Sequence, residues 1–129
     1  MQKILVVDDN LLFRAILKET LNTRFRNIKI LEAGDGEEAL EEIETFLPDL
    51  ILMDIHLPGR NGLQLTKQIK ARYPHIRVAI VTSYDEPEYR DAAYRCKADH
   101  YIPKDTFLSL IHSVLSDESV LLNPLSSRA

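Results

Sequence analysis

Acidic side chains, one hydroxyl and one lysine stand at or just after the ends of short apolar runs in this sequence. In chain order these polar residues are Asp8, Asp9, Asp54, Thr82 and Lys104. Carboxylate, hydroxyl and ammonium groups suit phosphoryl transfer, because that chemistry depends on positioning and charge neutralisation. A carboxylate is also an accepted nucleophile. The residue types therefore favour phosphoryl chemistry, provided that the fold brings them together.

Short apolar runs alternate with amphipathic stretches, which is the pattern of βαβ units in an α/β fold. The runs at 3–7, 50–54 and 78–82 are nearly continuous, as expected for parallel strands covered on both faces by helices. Weaker strands are predicted at 28–33 and 100–102. Parallel strands present their carboxyl ends at one edge, where ligands of such sheets bind. The acids, Thr82 and Lys104 are therefore expected to converge there.

Five helices are predicted from apolar residues at helical spacing. Their expected buried positions are Phe13, Ile16, Leu17 and Leu21; Ala39, Ile43 and Leu47; Leu65 and Ile69; Tyr89, Ala92, Ala93 and Cys96; and Phe107, Ile111, Val114 and Leu115. Capping boxes are predicted from the spacing of Asp35 with Glu38 and of Asp85 with Glu88. The apolar period fades after Ser116, so residues 117–129 are interpreted as a tail or linker.

Length and charge limit the function classes. A chain of 129 residues fits one domain, here assigned to residues 2–116. A net charge of −4 and a pI near 5.5 disfavour direct nucleic-acid binding. One cysteine, Cys96, excludes an internal disulfide, and its place on an apolar helix face favours packing. No signal peptide or membrane span is recognisable, so a cytoplasmic location is expected.

The three acids require a compensating charge if they meet. Taken singly, Asp8 or Asp9 would be interpreted as a helix cap or a solvated loop acid. Brought together with Asp54, they repel one another unless a cation or a pKa shift intervenes. Mg²⁺ is the expected cation, because it prefers oxygen ligands and phosphate oxygens. Lys104 is expected to pair with Asp54 or with a phosphoryl oxygen, and Thr82 to donate to another oxygen.

Four motifs together resemble the receiver domain of bacterial two-component response regulators, over roughly residues 2–116. They are "ILVVDDN", "LILMDIHLPGRNG", "VAIVTS" and "HYIPK". The resemblance implies a flavodoxin-like, doubly wound (βα)5 fold with strand order 2-1-3-4-5. It also implies a regulatory domain that assists its own phosphorylation and dephosphorylation, and that is not a conventional enzyme.

The resemblance further implies residue roles. Asp54 becomes the phospho-acceptor, served by a partner histidine kinase or phosphotransfer protein. Asp9, Asp54 and the His56 backbone carbonyl become direct Mg²⁺ ligands, and Asp8 a ligand through water. The catalytic and switch roles fall on Thr82, Tyr101 and Lys104, with Lys104 catalytic, Tyr101 a switch residue and Thr82 both. The resemblance also implies that the face formed by helix 4, strand 5 and helix 5 transmits the signal to an effector domain or protein. A homodimer of the chain is another implied assembly.

Some positions depart from the common receiver pattern or permit two interpretations. Asp105 follows Lys104 where a proline is common, so the usual cis bond is in doubt and Asp105 is expected to cap the fifth helix. Lys97 stands where a glycine is common at a helix end. His56 and Tyr84 either tune phosphoryl lifetime or simply line the rim of the pocket. His75, His100 and His112 have no metal-ligand spacing and are expected to be ordinary surface or structural residues.

Other classes of protein stay open at this stage. One is a receiver-like interaction module that works without phosphorylation. Another is a Mg²⁺-dependent phosphatase with an aspartyl nucleophile on the first strand. A flavin or nucleotide binder is disfavoured because no Gly-rich phosphate loop follows that strand. The sequence does not distinguish a stand-alone regulator from a piece of a longer DNA-binding one.

Overall fold

The computed structural model describes residues 2–83 and 86–107. Five strands form one parallel sheet with the order β2-β1-β3-β4-β5, which confirms the predicted fold class and order. The strands are β1 (Gln2–Val7), β2 (Ile28–Ala33), β3 (Leu50–Met53), β4 (Arg77–Thr82) and β5 (His100–Pro103).

Four α-helices lie within the described residues. They are α1 (Leu11–Arg24), α2 (Gly36–Phe46), α3 (Gly62–Arg72) and α4 (Pro87–Arg95). A short antiparallel hairpin of His56–Leu57 with Arg60–Asn61 precedes α3, and a 3-10 turn (Lys104–Thr106) follows β5. Beyond Phe107, the predicted fifth helix and the predicted tail lie outside the described residues. None of the described helices is long and apolar enough to cross a bilayer.

The sheet is covered on both faces, as its apolar strands predict. Alternate residues of β1 enter different cores: Ile4 belongs to the cluster that includes Leu17 of α1, and Leu5 to the cluster that includes Ile43 of α2. All four of these side chains are fully buried. Because the central strands β1, β3 and β4 are buried on both sides, their sequences show nearly continuous apolar runs without polar alternation.

Side chains cap three of the helices. Asn10 accepts from the N–H of Phe13 at the start of α1, and Asn61 accepts from the N–H of Leu63 at the start of α3. Asp35 accepts from the N–H of Glu38, as predicted for α2. The returning bond differs from a standard capping box, because Glu38 accepts from the N–H of Gly34 and not from that of Asp35.

Two predicted core positions are wrong. Ile16 of α1 is 48% exposed, because only one stripe of that helix, with Leu17 and Leu21, meets the sheet. Leu47 is 49% exposed because α2 ends before it, in a left-handed residue with φ of 49°. Phe46 is buried in its place.

Helix α4 has a proline in its first turn and a left-handed residue just after its end. Glu86 occupies its N-cap position without a side-chain bond, followed by Pro87 in the first turn, while Asp85 lies outside the described residues. At the other end Lys97 has a φ of 74°, so the left-handed helix end is retained although glycine is absent. Tyr89, Ala92 and Cys96 are partly buried against the core, as predicted for this helix.

The segment after β5 begins with a 3-10 turn, which the sequence did not predict. Pro103 ends β5, which its lack of an N–H permits at a strand end. Asp105 lies inside the 3-10 turn, and that turn has no side-chain cap bond. The expected capping of the fifth helix by Asp105 involves residues outside the described ones. All peptide bonds within the described residues are trans.

Candidate functional site

Asp54 is the first residue after β3, and the strand pairing fixes its place. Its N–H donates to the carbonyl of Val7, the last residue of β1, at 2.9 Å. Its Oδ1 accepts from the N–H of Ile55 at 2.9 Å. Only 8% of Asp54 is exposed. The register of β1 and β3 therefore holds Asp54 beside the acids that follow β1.

Asp8, Asp9 and Asp54 form a compact group of acids. Each contributes a carboxylate oxygen, and these oxygens all lie within 4.8 Å of one another. Asp8 is buried, with its Oδ1 accepting from the N–H of Asn10 at 2.8 Å, and Asp9 is exposed. Like charges at this spacing call for a cation, and an all-oxygen donor set suits Mg²⁺. The residues present fit the predicted metal.

Lys104, the first residue after β5, also reaches this group of acids. Its Nζ lies 2.8 Å from Oδ2 of Asp8 and 3.7 Å from Oδ2 of Asp54. The contact with Asp8 is an ion pair by charge and distance, but its angles are not those of a hydrogen bond. Sequence reasoning paired Lys104 with Asp54. The structure brings both acids to the lysine and makes Asp8 the nearer partner.

An aromatic ring completes the surroundings of Lys104. Its Nζ lies 4.3 Å from the centroid of the Phe13 ring, a cation–π contact. The Phe13 ring in turn contacts the Phe107 ring edge-on, with 5.7 Å between the ring centroids. Phe13 was predicted only as a core residue of α1, because helical periodicity does not reveal which buried side chain faces a charged group.

The pKa of Asp54 is raised above its ordinary value. Burial is the largest cause, and the negative charge of Asp8 adds to it. The positive charge of Lys104, the N–H of Ile55 and the hydroxyl of Thr82 act in the opposite direction, because each stabilises the carboxylate. Burial and Asp8 thus destabilise the charged form of Asp54, while Lys104 and two hydrogen-bond donors partly stabilise it.

The two predicted switch residues lie on neighbouring strands. Thr82 ends β4, is fully buried and donates its hydroxyl to Asp54. Tyr101 pairs with Ile80 of β4 in register, and its side chain is buried at 5% exposure. The guanidinium of Arg90 in α4 lies over the Tyr101 ring at 4.7 Å. Tyr101 therefore links β5 to α4.

His56 begins the hairpin that follows Asp54. Its side chain is exposed, and its ring meets the ring of Tyr89 edge-on at 6.0 Å. The side chain is thus turned towards α4. A metal-ligand role for its backbone carbonyl stays a prediction, and Tyr84, the other predicted tuning residue, lies outside the described residues.

Gly62 lets the chain close tightly around Asp54. A Cβ at this position would lie 1.9 Å from the carbonyl oxygen of Asp54. The N–H of Gly62 also donates to the carbonyl of Ile55 at 2.6 Å. Only glycine permits this approach of two backbone segments. The sequence motif included Gly62, but only the folded chain shows why a larger residue is excluded.

Arg14 is a second supporting residue that sequence reasoning missed. Its Nε lies 2.9 Å from a carboxylate oxygen of Glu32, and another guanidinium nitrogen donates to the carbonyl of Asp8. This arrangement links the loop of the acidic pair to β2. The available signal was Glu32, an acid within the predicted strand at 28–33.

Comparison with known proteins agrees with this geometry. A family model described as "Response regulator receiver domain" matches residues 4–116. The chemotaxis protein CheY of Halobacterium salinarum is 33% identical over 116 residues, covering 90% of this chain and 95% of that protein. The signal receiver domain of the response regulator NarL from Mycobacterium tuberculosis has a TM-score of 0.83 at 29% identity, covering 93% of this chain and 98% of that one.

Longer regulators are also similar. The transcriptional regulatory protein DegU of Brevibacillus brevis is 33% identical over 103 residues, covering 80% of this chain but 44% of DegU. The transcriptional activator ExaE of Pseudomonas putida is 31% identical over 129 residues, covering 60% of that protein. The chain thus spans about half the length of these two relatives.

A parallel five-stranded α/β sheet that gathers acids, a hydroxyl and a lysine at its carboxyl edge defines a phospho-signalling class of protein. The family match and the relatives make the assignment specific. The chain belongs to the response regulator receiver domain family of two-component systems.

Proposed function

We propose that this domain accepts a phosphoryl group on Asp54 from the phosphohistidine of a partner histidine kinase or phosphotransfer protein. The observation that carries the proposal is the buried carboxylate of Asp54, with Asp8 and Asp9 beside it and Lys104 facing it. These are the charges that phosphoryl transfer requires.

In the transfer step, a carboxylate oxygen of Asp54 attacks phosphorus in line. The P–O bond forms as the P–N bond to the donor histidine breaks, and the electron pair of that bond leaves with the imidazole nitrogen. Lys104 neutralises charge on the phosphoryl oxygens, and the Thr82 hydroxyl turns from the carboxylate to a phosphoryl oxygen. Hydrolysis of the resulting acyl phosphate returns Asp54 to its starting state, so the domain is a regulated substrate and not a conventional enzyme.

The acids would hold the divalent cation. We assign Asp9, Asp54 and the His56 carbonyl as direct ligands of Mg²⁺, and Asp8 as a ligand through water. When bound, Mg²⁺ supplies positive charge to the phosphoryl oxygens and relieves repulsion among the acids. This set is supported by the close spacing of the three carboxylates.

The proposed switch uses Thr82 and Tyr101. Movement of Thr82 towards the phosphoryl group frees space beside Tyr101 and favours one arrangement of α4, β5 and the segment after β5. Tyr101 is already buried beneath Arg90 in the unphosphorylated chain. Phosphorylation is therefore proposed to raise the population of a conformation that this chain already samples. That face is the proposed contact for an effector domain or protein, or for a second copy of the chain.

An apolar patch next to the acids supports a protein phosphodonor. Leu11 and Leu12 in the first turn of α1 are each 69% exposed, and Ile16 one turn later is 48% exposed. Large apolar side chains grouped on a surface are typical of protein contact sites. We propose that the donor protein packs on this patch while its phosphohistidine reaches Asp54. A cytoplasmic location stays a prediction.

Labelling with acetyl phosphate and Mg²⁺, followed by intact mass spectrometry, tests the acceptor. The wild-type chain is expected to gain one hydroxylamine-sensitive phosphoryl group, and Asp54→Asn to gain none. Asp91→Asn changes an exposed acid of α4 outside the site and is the matched control. Equal labelling of Asp54→Asn and wild type contradicts the assignment. A wild-type chain that takes no label from acetyl phosphate or a phosphohistidine donor favours the phosphorylation-independent interaction module.

A further inference from the structure

A groove between α3 and α4 lies away from the acids and takes no part in the proposed phosphorylation. The α3/α4 groove has a volume of about 740 Å³. Its lining includes Lys67, Ala71, Pro74, Tyr94, Lys97 and Ala98. Parallel strands run one way and their helices return the other way, so the carboxyl-terminal ends of α3 and α4 lie at the amino edge of the sheet. The phospho-acceptor is at the opposite edge.

The charges of the α3/α4 groove are unbalanced. Asp99 is its acid, and that carboxylate is already paired with Lys70 at 3.0 Å and with Arg77 at 3.6 Å. Lys70 also donates to the carbonyl of Ile76 at 2.8 Å, so this lysine serves the fold. The groove cations beyond Lys70 are Lys67, Arg95 and Lys97, all exposed and without an ion-pair partner within residues 2–83 and 86–107. A cationic groove thus persists in a chain whose net charge is −4.

Lys97 adds an independent observation. Its φ of 74° lies in the left-handed region, where a side chain costs free energy and glycine does not. The Lys97 side chain nevertheless lines the groove beside Tyr94, an aromatic residue that is 48% exposed. The left-handed end of α4 thus places a charged side chain beside an exposed aromatic one at the groove.

We propose that the α3/α4 groove docks an acidic segment of a partner protein that carries an apolar anchor residue. Carboxylates of the segment would meet Lys67, Arg95 and Lys97, and the anchor would pack against Tyr94 and the alanine and proline floor. A protein segment fits better than nucleic acid, because three cations offer few phosphate contacts, whereas the apolar floor suits an apolar anchor side chain. Because the groove is remote from Asp54, binding does not require phosphorylation.

NMR titration of the ¹⁵N-labelled chain tests the proposal. The probe is a synthetic peptide of alternating Glu and Leu, about twelve residues long, and the matched peptide has Lys in place of Glu. The acidic peptide is expected to shift the amide signals of Tyr94, Lys97 and neighbouring groove residues, with an affinity that falls as salt rises. The basic peptide and a single-stranded oligonucleotide of similar length are expected to leave those signals in place.

Three variants separate the effect of groove charge on binding from any effect on folding. The double variant K67E/K97E is expected to bind the acidic peptide about tenfold more weakly, because attraction becomes repulsion. K29E reverses an exposed charge on β2, outside the groove, and is expected to bind as wild type does. K97G removes the side chain while suiting the left-handed backbone. It is expected to raise the Tm by about 2–5 °C and still weaken binding about threefold.

Specific outcomes overturn the proposal. They are unchanged binding by K67E/K97E at wild-type fold, shifts that map outside the groove, no groove shifts at about 1 mM acidic peptide, or groove shifts with the oligonucleotide in place of the peptide. Equal binding by phosphorylated and unphosphorylated chain is expected, and a requirement for the acyl phosphate likewise contradicts a remote docking site. Each outcome is independent of whether Asp54 proves to be the acceptor.

Discussion

Lys104 lies closer to Asp8 than to Asp54: its Nζ is 2.8 Å from Oδ2 of Asp8 and 3.7 Å from Oδ2 of Asp54. One ammonium group thus serves two buried carboxylates. The Phe13 ring, 4.3 Å from the same nitrogen, limits where that ammonium can go. Lys104 is therefore positioned by charge on one side and by an aromatic face on the other.

Replacement of Phe13 by Leu should disorder Lys104. We expect labelling of Asp54 by acetyl phosphate to slow about three- to tenfold, since a cation–π contact of this kind is worth about 1 kcal/mol. Phe13→Tyr keeps an aromatic face and should restore the rate. NMR shifts of the Lys104 ε-methylene should lose their ring-current displacement in the Leu variant alone.

Phe46 offers a control for the loss of a buried ring. It lies beneath another lysine, with 5.7 Å between the Lys3 nitrogen and the ring centroid. Phe46 ends α2 and Lys3 lies near the start of β1, so this contact is at the opposite edge of the sheet from the acids. Phe46→Leu should lower stability without changing the labelling rate relative to folded protein. A rate loss equal to that of Phe13→Leu would show that general destabilisation, and not Lys104, accounts for both.

The raised pKa of Asp54 predicts how stability depends on pH. The folded protein binds a proton at Asp54 more readily than the unfolded chain does, so this residue's contribution to stability falls as pH rises from the unfolded pKa through the folded one. Asp54→Asn removes the buried charge and should raise the free energy of unfolding at pH 7, by about 1–3 kcal/mol. The gain should fade as pH falls towards 4.

Denaturant unfolding across pH measures this difference. Asp91→Asn, an exposed acid, serves as control and should show little change between pH 4 and 7. A stability gain for Asp54→Asn that grew on acidification would contradict the sign derived from burial and the neighbouring Asp8.

Mg²⁺ should stabilise the folded chain through the acids. At a concentration about ten times its dissociation constant, the stabilisation is about 1.4 kcal/mol and appears as a rise in Tm. Asp9→Asn should abolish most of this rise, while its exposed side chain leaves folding intact without the metal. Equal Mg²⁺-dependent shifts in wild type and Asp9→Asn would remove Asp9 from the ligand set.

Gly59, in the hairpin turn, and Gly62, at the start of α3, separate the effect of a close backbone contact from the effect of a left-handed backbone conformation. Gly62→Ala would place a Cβ 1.9 Å from the carbonyl oxygen of Asp54 and should cost more than about 3 kcal/mol. Gly59 has nothing within 4 Å of its potential Cβ but a φ of 73°, so Gly59→Ala should cost only about 1 kcal/mol. Thermal unfolding compares the two. A smaller loss at Gly62 than at Gly59 contradicts the close approach.

The sequence was sufficient for the α/β class, the strand positions and the convergence of Asp8, Asp54, Thr82 and Lys104. Each of these follows from local pattern: apolar runs mark strands, and parallel strands share one carboxyl edge. The wrong predictions concern side chains whose burial depends on the surface against which their helix packs. The exposure of Ile16 depends on how α1 sits on the sheet, which helical period alone leaves open.

Only the tertiary structure decided which neighbour each charged group has. Lys104 pairs most closely with Asp8, Phe13 covers the ammonium, Arg14 holds the loop of the acidic pair, and Gly62 admits the Asp54 backbone. These contacts join residues far apart in the chain. Their distances depend on strand register and helix packing, so no local pattern encodes them. The sequence by itself thus determined which groups meet at the sheet edge, and the packing of the folded chain determined their distances, their partners and the raised pKa of Asp54.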